Sequence, residues 1–238
     1  MSRETCYRCF WPKAHCWCPS IKAMETRTKF VFLMHPKEFK QEKASTGRLT
    51  HLALSQSEIV VGVEFDGNPR VQALLADPAL YPTLLYPGRT ARNVSRGELK
   101  EDALQGRRLV VFVLDATWSC ARKMLKLSPS LQSLPRLGFD AQTAVSRYVI
   151  KQQPQAGCLS TLEATHEMLL ALETAGLDRY SDPTQLIALF HRMQDFQLKC
   201  ATNPDRKGYR LTPMRPVEER RGVLSRQTGS RRNRFIPL

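Results

Sequence analysis

Short apolar runs alternate along this chain with stretches in which apolar residues recur every three or four positions. Residues 28–34 (TKFVFLM) read as a strand, residues 46–54 carry a helical spacing, and residues 58–63 (EIVVGV) form a second strand. A short helix fits residues 71–75, and a weak strand fits residues 83–86, stopping at Pro87-Gly88. Residues 108–114 give the strongest strand. Its uninterrupted run Leu109-Val110-Val111-Phe112-Val113-Leu114 suits a strand covered on both faces, as in parallel sheets. A helix is predicted over residues 119–127, ending before Ser128-Pro129, and a brief strand over residues 147–150. Two helices follow. Ser160-Thr161-Leu162-Glu163 fits a capping box ahead of the stripe Leu162, Thr165, Leu169 and Leu172, which Gly176 ends. Asp182-Pro183 opens the second, with Leu186, Leu189, Phe190, Met193 and Phe196 as its apolar face. Strands alternating with helices imply βαβ units and a layered α/β fold with a mainly parallel sheet. No internal repeat is visible.

Charge adds a partner. The 238 residues carry a formal net charge of +14, which points to a polyanion, most simply nucleic acid. Residues 206–238 hold ten Lys and Arg against Glu218 and Glu219. This stretch reads as an arginine-rich tail that orders on RNA, or else as a merely solvated one. No apolar run approaches the roughly 18 residues of a membrane span. The N-terminus lacks the apolar core of a signal peptide, so a cytoplasmic protein is expected.

Seven cysteines are an odd number for a disulfide scaffold, and four of them cluster as Cys6-x2-Cys9-x6-Cys16-x-Cys18. Two close pairs can give four thiolates to a tetrahedral Zn²⁺, and the surrounding segment has too few aliphatic residues to order itself. Local disulfides or idle thiols are the alternative, and His15 is a further potential ligand. Phe10, Trp11 and Trp17 lie among these cysteines, fit either to stack on bases or to pack the knuckle onto the body. The expected division is a knuckle over residues 1–24, a catalytic domain over 25–200 and a basic tail over 201–238.

Familiar nucleotide signatures are missing: there is no GxGxxG, no GxxxxGK[ST] and no nucleophile elbow. What remains is a set of loops at strand ends. In open α/β sheets, ligand crevices form at the carboxyl ends of strands, which is where Asp115 falls. A helix-capping role is the other reading of that residue.

Asp115-Ala116-Thr117-Trp118 resembles the DxTW signature of the DTW-domain family. His35-Pro36-x-Glu38 followed by Thr46-Gly47-Arg48, Leu85-Tyr86-Pro87-Gly88, and Ser146-x-Tyr148 with Lys151, Pro154 and Ser160-Thr161-x-Glu163-Ala164 resemble that family's other elements, in order. The cysteine knuckle is similar to that of many bacterial members. Ala116 stands where glycine is common.

The resemblance implies a tRNA-uridine aminocarboxypropyltransferase with a SPOUT-like fold and a knotted C-terminal half, although knots are essentially absent from ordinary folds. It implies S-adenosylmethionine as donor, a tRNA uridine as acceptor (in the variable loop) and structural zinc on Cys6, Cys9, Cys16 and Cys18. It also implies a cofactor site built from Leu85, Tyr86, Pro87, Gly88, Leu114, Thr117, Trp118, Ser146, Tyr148, Ser160, Thr161, Glu163 and Ala164. Asp115 is the expected catalytic residue, as a base for the uracil N3 proton or as a group that orients it. Burial beside Trp118 would suit the base role by raising its pKa.

Local alternatives stand beside these roles. Thr117 can satisfy a turn, Trp118 and Tyr148 can be core aromatics, Pro87-Gly88 can be an ordinary turn, and Glu163 can serve the capping box alone. His35 reads as structural, and Arg89, Arg92, Arg122, Arg147 and Lys151 as candidates for phosphate contact or plain surface charge. Two other functions fit the same features: a methyltransferase of similar fold, and a non-catalytic zinc-bearing RNA binder.

Overall fold

The computed structural model describes residues 4–41, 45–141 and 159–202. After two 3-10 turns (Lys13–His15 and Cys18–Ser20), the elements run β1 (Lys29–Met34), α1 (Pro36–Gln41), α2 (Thr46–Ala53), β2 (Ser57–Val61) and α3 (Pro69–Ala76). There follow β3 (Leu80–Leu85), β4 (Arg92–Asn93), α4 (Glu101–Leu104), β5 (Arg108–Asp115), α5 (Trp118–Lys126), α6 (Pro129–Gln132) and β6 (Arg136–Gly138). Two long helices close the order: α7 (Thr161–Thr174) and α8 (Pro183–Thr202).

The six strands form one sheet in the order β2-β1-β5-β3-β6-β4, with every pair parallel. β5 lies in the interior, with Phe112 opposite Val31 on one side and Leu84 on the other. Its apolar run alternates between two buried layers. Leu109, Val111 and Val113 join Phe30 and Phe32 of β1 in a core with α2, α7 and α8. Val110 and Phe112 join Val31 and Leu33 in a second core with α3, α5 and α6. Covering on both faces explains the continuous apolar sequence.

Local chemistry sets the helix starts. Asn68 caps α3 by accepting from the N–H groups of Arg70 and Val71, with Pro69 in the first turn. Ser160 and Glu163 form the expected capping box on α7, and Gly176 follows that helix at φ 73°. Asp182 accepts from Thr184 and Gln185 at the start of α8. The turn after α7 also reaches back to the sheet. Asp178, buried, accepts from the backbone N–H groups of Arg27 (2.8 Å) and Thr28 (2.9 Å), just ahead of β1.

The structure extends the sequence reading in several places. β3 begins at Leu80 rather than residue 83, with Pro82 opposite Val110. Strands β4 and β6 and helices α1, α4 and α6 are additions, all too short for periodicity to reveal. The strand expected over residues 147–150 and the basic tail from residue 203 lie outside the described residues. Among those described, no helix is long and apolar enough to cross a membrane.

The N-terminal knuckle packs through its tryptophans. Trp11 and Trp17 are buried, 4.5 Å apart between ring centroids, and Trp11 meets Phe196 of α8 edge-on at 4.9 Å. Of the two uses open to these rings, the structure shows packing. Gln185 of α8 adds a reciprocal pair of hydrogen bonds with the Lys22 backbone, at 2.8 and 2.7 Å.

Candidate active site and cysteine cluster

The carboxyl ends of β3, β5 and β6 open into a crevice of about 640 Å³, within the size range of small-molecule sites. Ten of the anticipated site residues line it: Leu85, Tyr86 and Pro87 after β3, Leu114, Asp115, Thr117 and Trp118 at β5, and Ser160, Thr161 and Ala164 at the start of α7. A parallel sheet makes this convergence necessary, because adjacent strands must all end on the same side.

Asp115 closes β5 and is 5% exposed. Thr161 Oγ1 donates to its Oδ1 at 2.6 Å. Its carboxylate also lies against Gly47 in the first turn of α2, where an added Cβ would sit 2.5 Å from Asp115 Cγ. Two helix N-termini therefore meet this one carboxylate. Both present the positive end of their dipoles and favour its negative charge. The backbone adds a tether, since the His35 N–H donates to the Asp115 carbonyl at 3.0 Å. His35 Nδ1 in turn accepts from Lys37 at the start of α1, a local structural role.

Thr117 caps α5 by accepting from the Cys120 N–H, and its exposed hydroxyl also meets Ser119. Trp118 stands edge-on to Tyr86, with centroids 6.3 Å apart. Arg136 lies over the other ring of this pair, its guanidinium carbon 5.4 Å from the Tyr86 centroid. Burial pushes the Tyr86 phenol above its ordinary pKa, and the nearby Arg136 and Arg122 partly offset this.

Gly88 lies beyond the lining, against Arg136: a Cβ there would stand 3.2 Å from Nη1. Glu163 is also outside the lining, and its buried carboxylate accepts from the Ser160 N–H at 2.8 Å. Ser146 and Tyr148 fall outside the described residues.

Several lining residues were not anticipated as site residues. Glu38 of α1 and Thr46 of α2 belong to quoted motifs without an assigned role, Leu137 and Gly138 end the short β6, and Phe139 follows it. Arg122, anticipated as a phosphate contact, also reaches the crevice.

The four knuckle cysteines lie apart from this crevice. All four Sγ atoms fall within 4.8 Å of one another, with Cys6 and Cys18 3.9 Å apart and Cys9 and Cys16 3.7 Å apart. A tetrahedron of thiolates at the usual Zn–S length of about 2.3 Å has edges of about 3.8 Å. Backbone N–H groups of Cys9 and Arg8 converge on Cys6 and lower its thiol to about 6, while burial and the neighbouring sulfurs raise the thiols of Cys16 and Cys18. These four thiols are arranged as free sulfurs around one point rather than joined in pairs. The donor set, spacing and backbone hydrogen bonding fit Zn²⁺.

The family model described as the DTW domain matches residues 3–198. The chain belongs to the DTW-domain family. Among curated relatives of this DTW-domain chain, the tRNA-uridine aminocarboxypropyltransferase 2 of Drosophila melanogaster is 30% identical, covering 88% of this chain and 87% of the relative. The tRNA-uridine aminocarboxypropyltransferase A of Arabidopsis thaliana is 28% identical, over 90% of this chain and 84% of the relative. The tRNA-uridine aminocarboxypropyltransferase 2 of Mus musculus is likewise 28% identical, over 72% of this chain and 57% of the relative. No solved structure matches the chain.

Proposed function

We propose that this DTW-domain protein transfers the 3-amino-3-carboxypropyl group of S-adenosylmethionine to N3 of a tRNA uridine in the variable loop. Family membership and the shared name of its relatives support the reaction class. The observation that carries the site is the buried, doubly braced carboxylate of Asp115 in the crevice formed by the family's own signature loop.

The donor's sulfonium activates the methylene of its methionyl arm, so that N3, giving up its proton, forms a C–N bond there as the C–S electron pair passes to sulfur and methylthioadenosine leaves. The crevice matches the donor's charges. Asp115 and Glu38 suit its sulfonium and ammonium, and Arg122 suits its carboxylate. Asp115 accepts or orients the N3 proton, and Thr161 holds the receiving carboxylate in one direction. Choosing methylene over methyl is a question of which carbon faces the nucleophile, and so of the shape set by Tyr86, Pro87 and Trp118. Ser146, Tyr148, Gly88 and Glu163 remain assigned to the cofactor side on the resemblance alone.

The zinc reading assigns Cys6, Cys9, Cys16 and Cys18 a structural cross-link. The same proposal includes cytoplasmic action, the division into knuckle, catalytic domain and RNA-binding basic tail, and a SPOUT-like arrangement with a knotted C-terminal half. These finer points rest on the resemblance and on the charge distribution.

Incubating the protein with donor and unmodified tRNA tests the function. Mass spectrometry of nucleosides should show aminocarboxypropyluridine, with methylthioadenosine as co-product. S-adenosylhomocysteine with a methylated base would instead establish a methyltransferase. Saturable tRNA binding with no donor affinity would establish a binding protein.

A further inference from the structure

Phe10 is a residue under conformational strain in an unusual place. It sits between Cys9 and Trp11 at φ 60°, a left-handed conformation in which a Cβ is unfavourable and glycine is at ease. Among the described residues only Gln105 shares this trait without being glycine, and it merely ends the short α4. The Phe10 N–H donates to the Cys6 carbonyl at 2.8 Å, so the strained turn is part of the knuckle itself. A side chain kept at such a position needs a use for its ring.

That use is Arg48. The guanidinium carbon of Arg48 stands 3.9 Å from the Phe10 centroid and 4.9 Å from that of Phe39. The two rings meet edge-on at 5.7 Å. Arg48 Nη2 donates to the Phe39 carbonyl at 2.9 Å. Arg48 is 4% exposed, whereas Phe10 is 39% exposed, so the ring forms an outer lid over a buried cation. Burial works against that cation, and the Asp115 carboxylate favours it.

Arg48 also belongs to the first turn of α2, which carries Thr46 in the crevice wall and Gly47 against the Asp115 carboxylate. A shift of this turn alters the surface on which Asp115 rests.

We propose that Phe10 and Arg48 form a clasp through which the metal-ordered knuckle fixes the first turn of α2 beneath Asp115, making Arg48 a positioning residue for transfer. The catalytic part of this inference rests on the reaction proposed above; the mechanical part does not.

Phe10→Gly separates the clasp from the metal site, because it removes the ring and relieves the backbone together. In the full-length protein, this variant should retain wild-type zinc content and should melt no lower. Amide exchange over residues 46–50 should rise about tenfold, and kcat should fall about tenfold with little change in donor KM. Phe10→Tyr, which keeps an aromatic face, should restore both. Stripping zinc from the wild type with a chelator should raise exchange over the same residues. Wild-type exchange at 46–50 in zinc-loaded Phe10→Gly, failure of Phe10→Tyr to rescue, or a chelator that leaves this turn unchanged would each overturn the clasp. Should the protein transfer nothing to tRNA, the function fails while the exchange measurements still decide the clasp.

Discussion

The central sheet and the cysteine knuckle reach order by different routes. β5 buries every residue from Leu109 to Val113 to 4% exposure or less, with paired strands on both sides and helices on both faces. Its rigidity comes from apolar burial and backbone pairing with β1 and β3. The knuckle has two three-residue turns, an isolated bridge between Thr5 and Pro12, and four convergent thiols. Its visible anchorage is two tryptophans resting on α8, and the proposed zinc would add a cross-link through those sulfurs. The difference teaches that conditions can disturb one region while sparing the other, although both bear on the same crevice.

Asp115→Asn gives the largest expected effect, a loss of about 10²- to 10⁴-fold in transfer rate. The swap is near-isosteric and can still accept from Thr161, so the melting temperature should stay close to wild type. A variant with full turnover would show that the sheet's end supplies only a scaffold. Phe112→Ala tests the sheet by itself. Phe112 is fully buried, and its truncation should cost about 3–5 kcal/mol in denaturant unfolding while zinc content is unchanged. Cys9→Ser tests the other side: zinc affinity should fall on the order of 10²-fold or more, measured by competition with a chelator. Exchange should then rise across residues 4–24 before it rises in β5. Simultaneous loss of protection in both regions would erase the contrast.

The smallest effect is an acid-side one at the boundary. Burial lowers the pKa of His51 below its ordinary 6.5, and Arg8 of the knuckle lowers it further. The unfolded chain therefore takes up this proton first. The stability tied to neutral His51 is complete above about pH 6.5 and declines as pH falls toward the lower folded value. His51→Gln should flatten this shallow acid limb in a series of thermal melts.

Much of the site was legible because strand ends carry it. The apolar run before Asp115 identified β5, and the Ser160–Glu163 capping box identified the start of α7. Parallel pairing then brings such ends together. Leu137 to Phe139 could not be found this way. β6 is three residues long, and its order comes from neighbours, including the Tyr86 N–H donating to the Leu137 carbonyl at 3.2 Å. β3 begins three residues ahead of the predicted strand even though Pro82 carries no N–H to donate. Thr83 beside it secures the strand by donating to the Val110 carbonyl at 2.9 Å. The proximity of Gly47 to Asp115 is likewise a tertiary fact, with nothing in the local pattern to announce it.

Asp178 gives the molecule an order of events during synthesis. The two amide protons just ahead of β1 are received by a side chain about 150 positions further along the chain. On a ribosome, the first strand emerges long before that acceptor exists. Completion of the domain waits for the turn after α7, and the nascent sheet stays exposed to unwanted association until then.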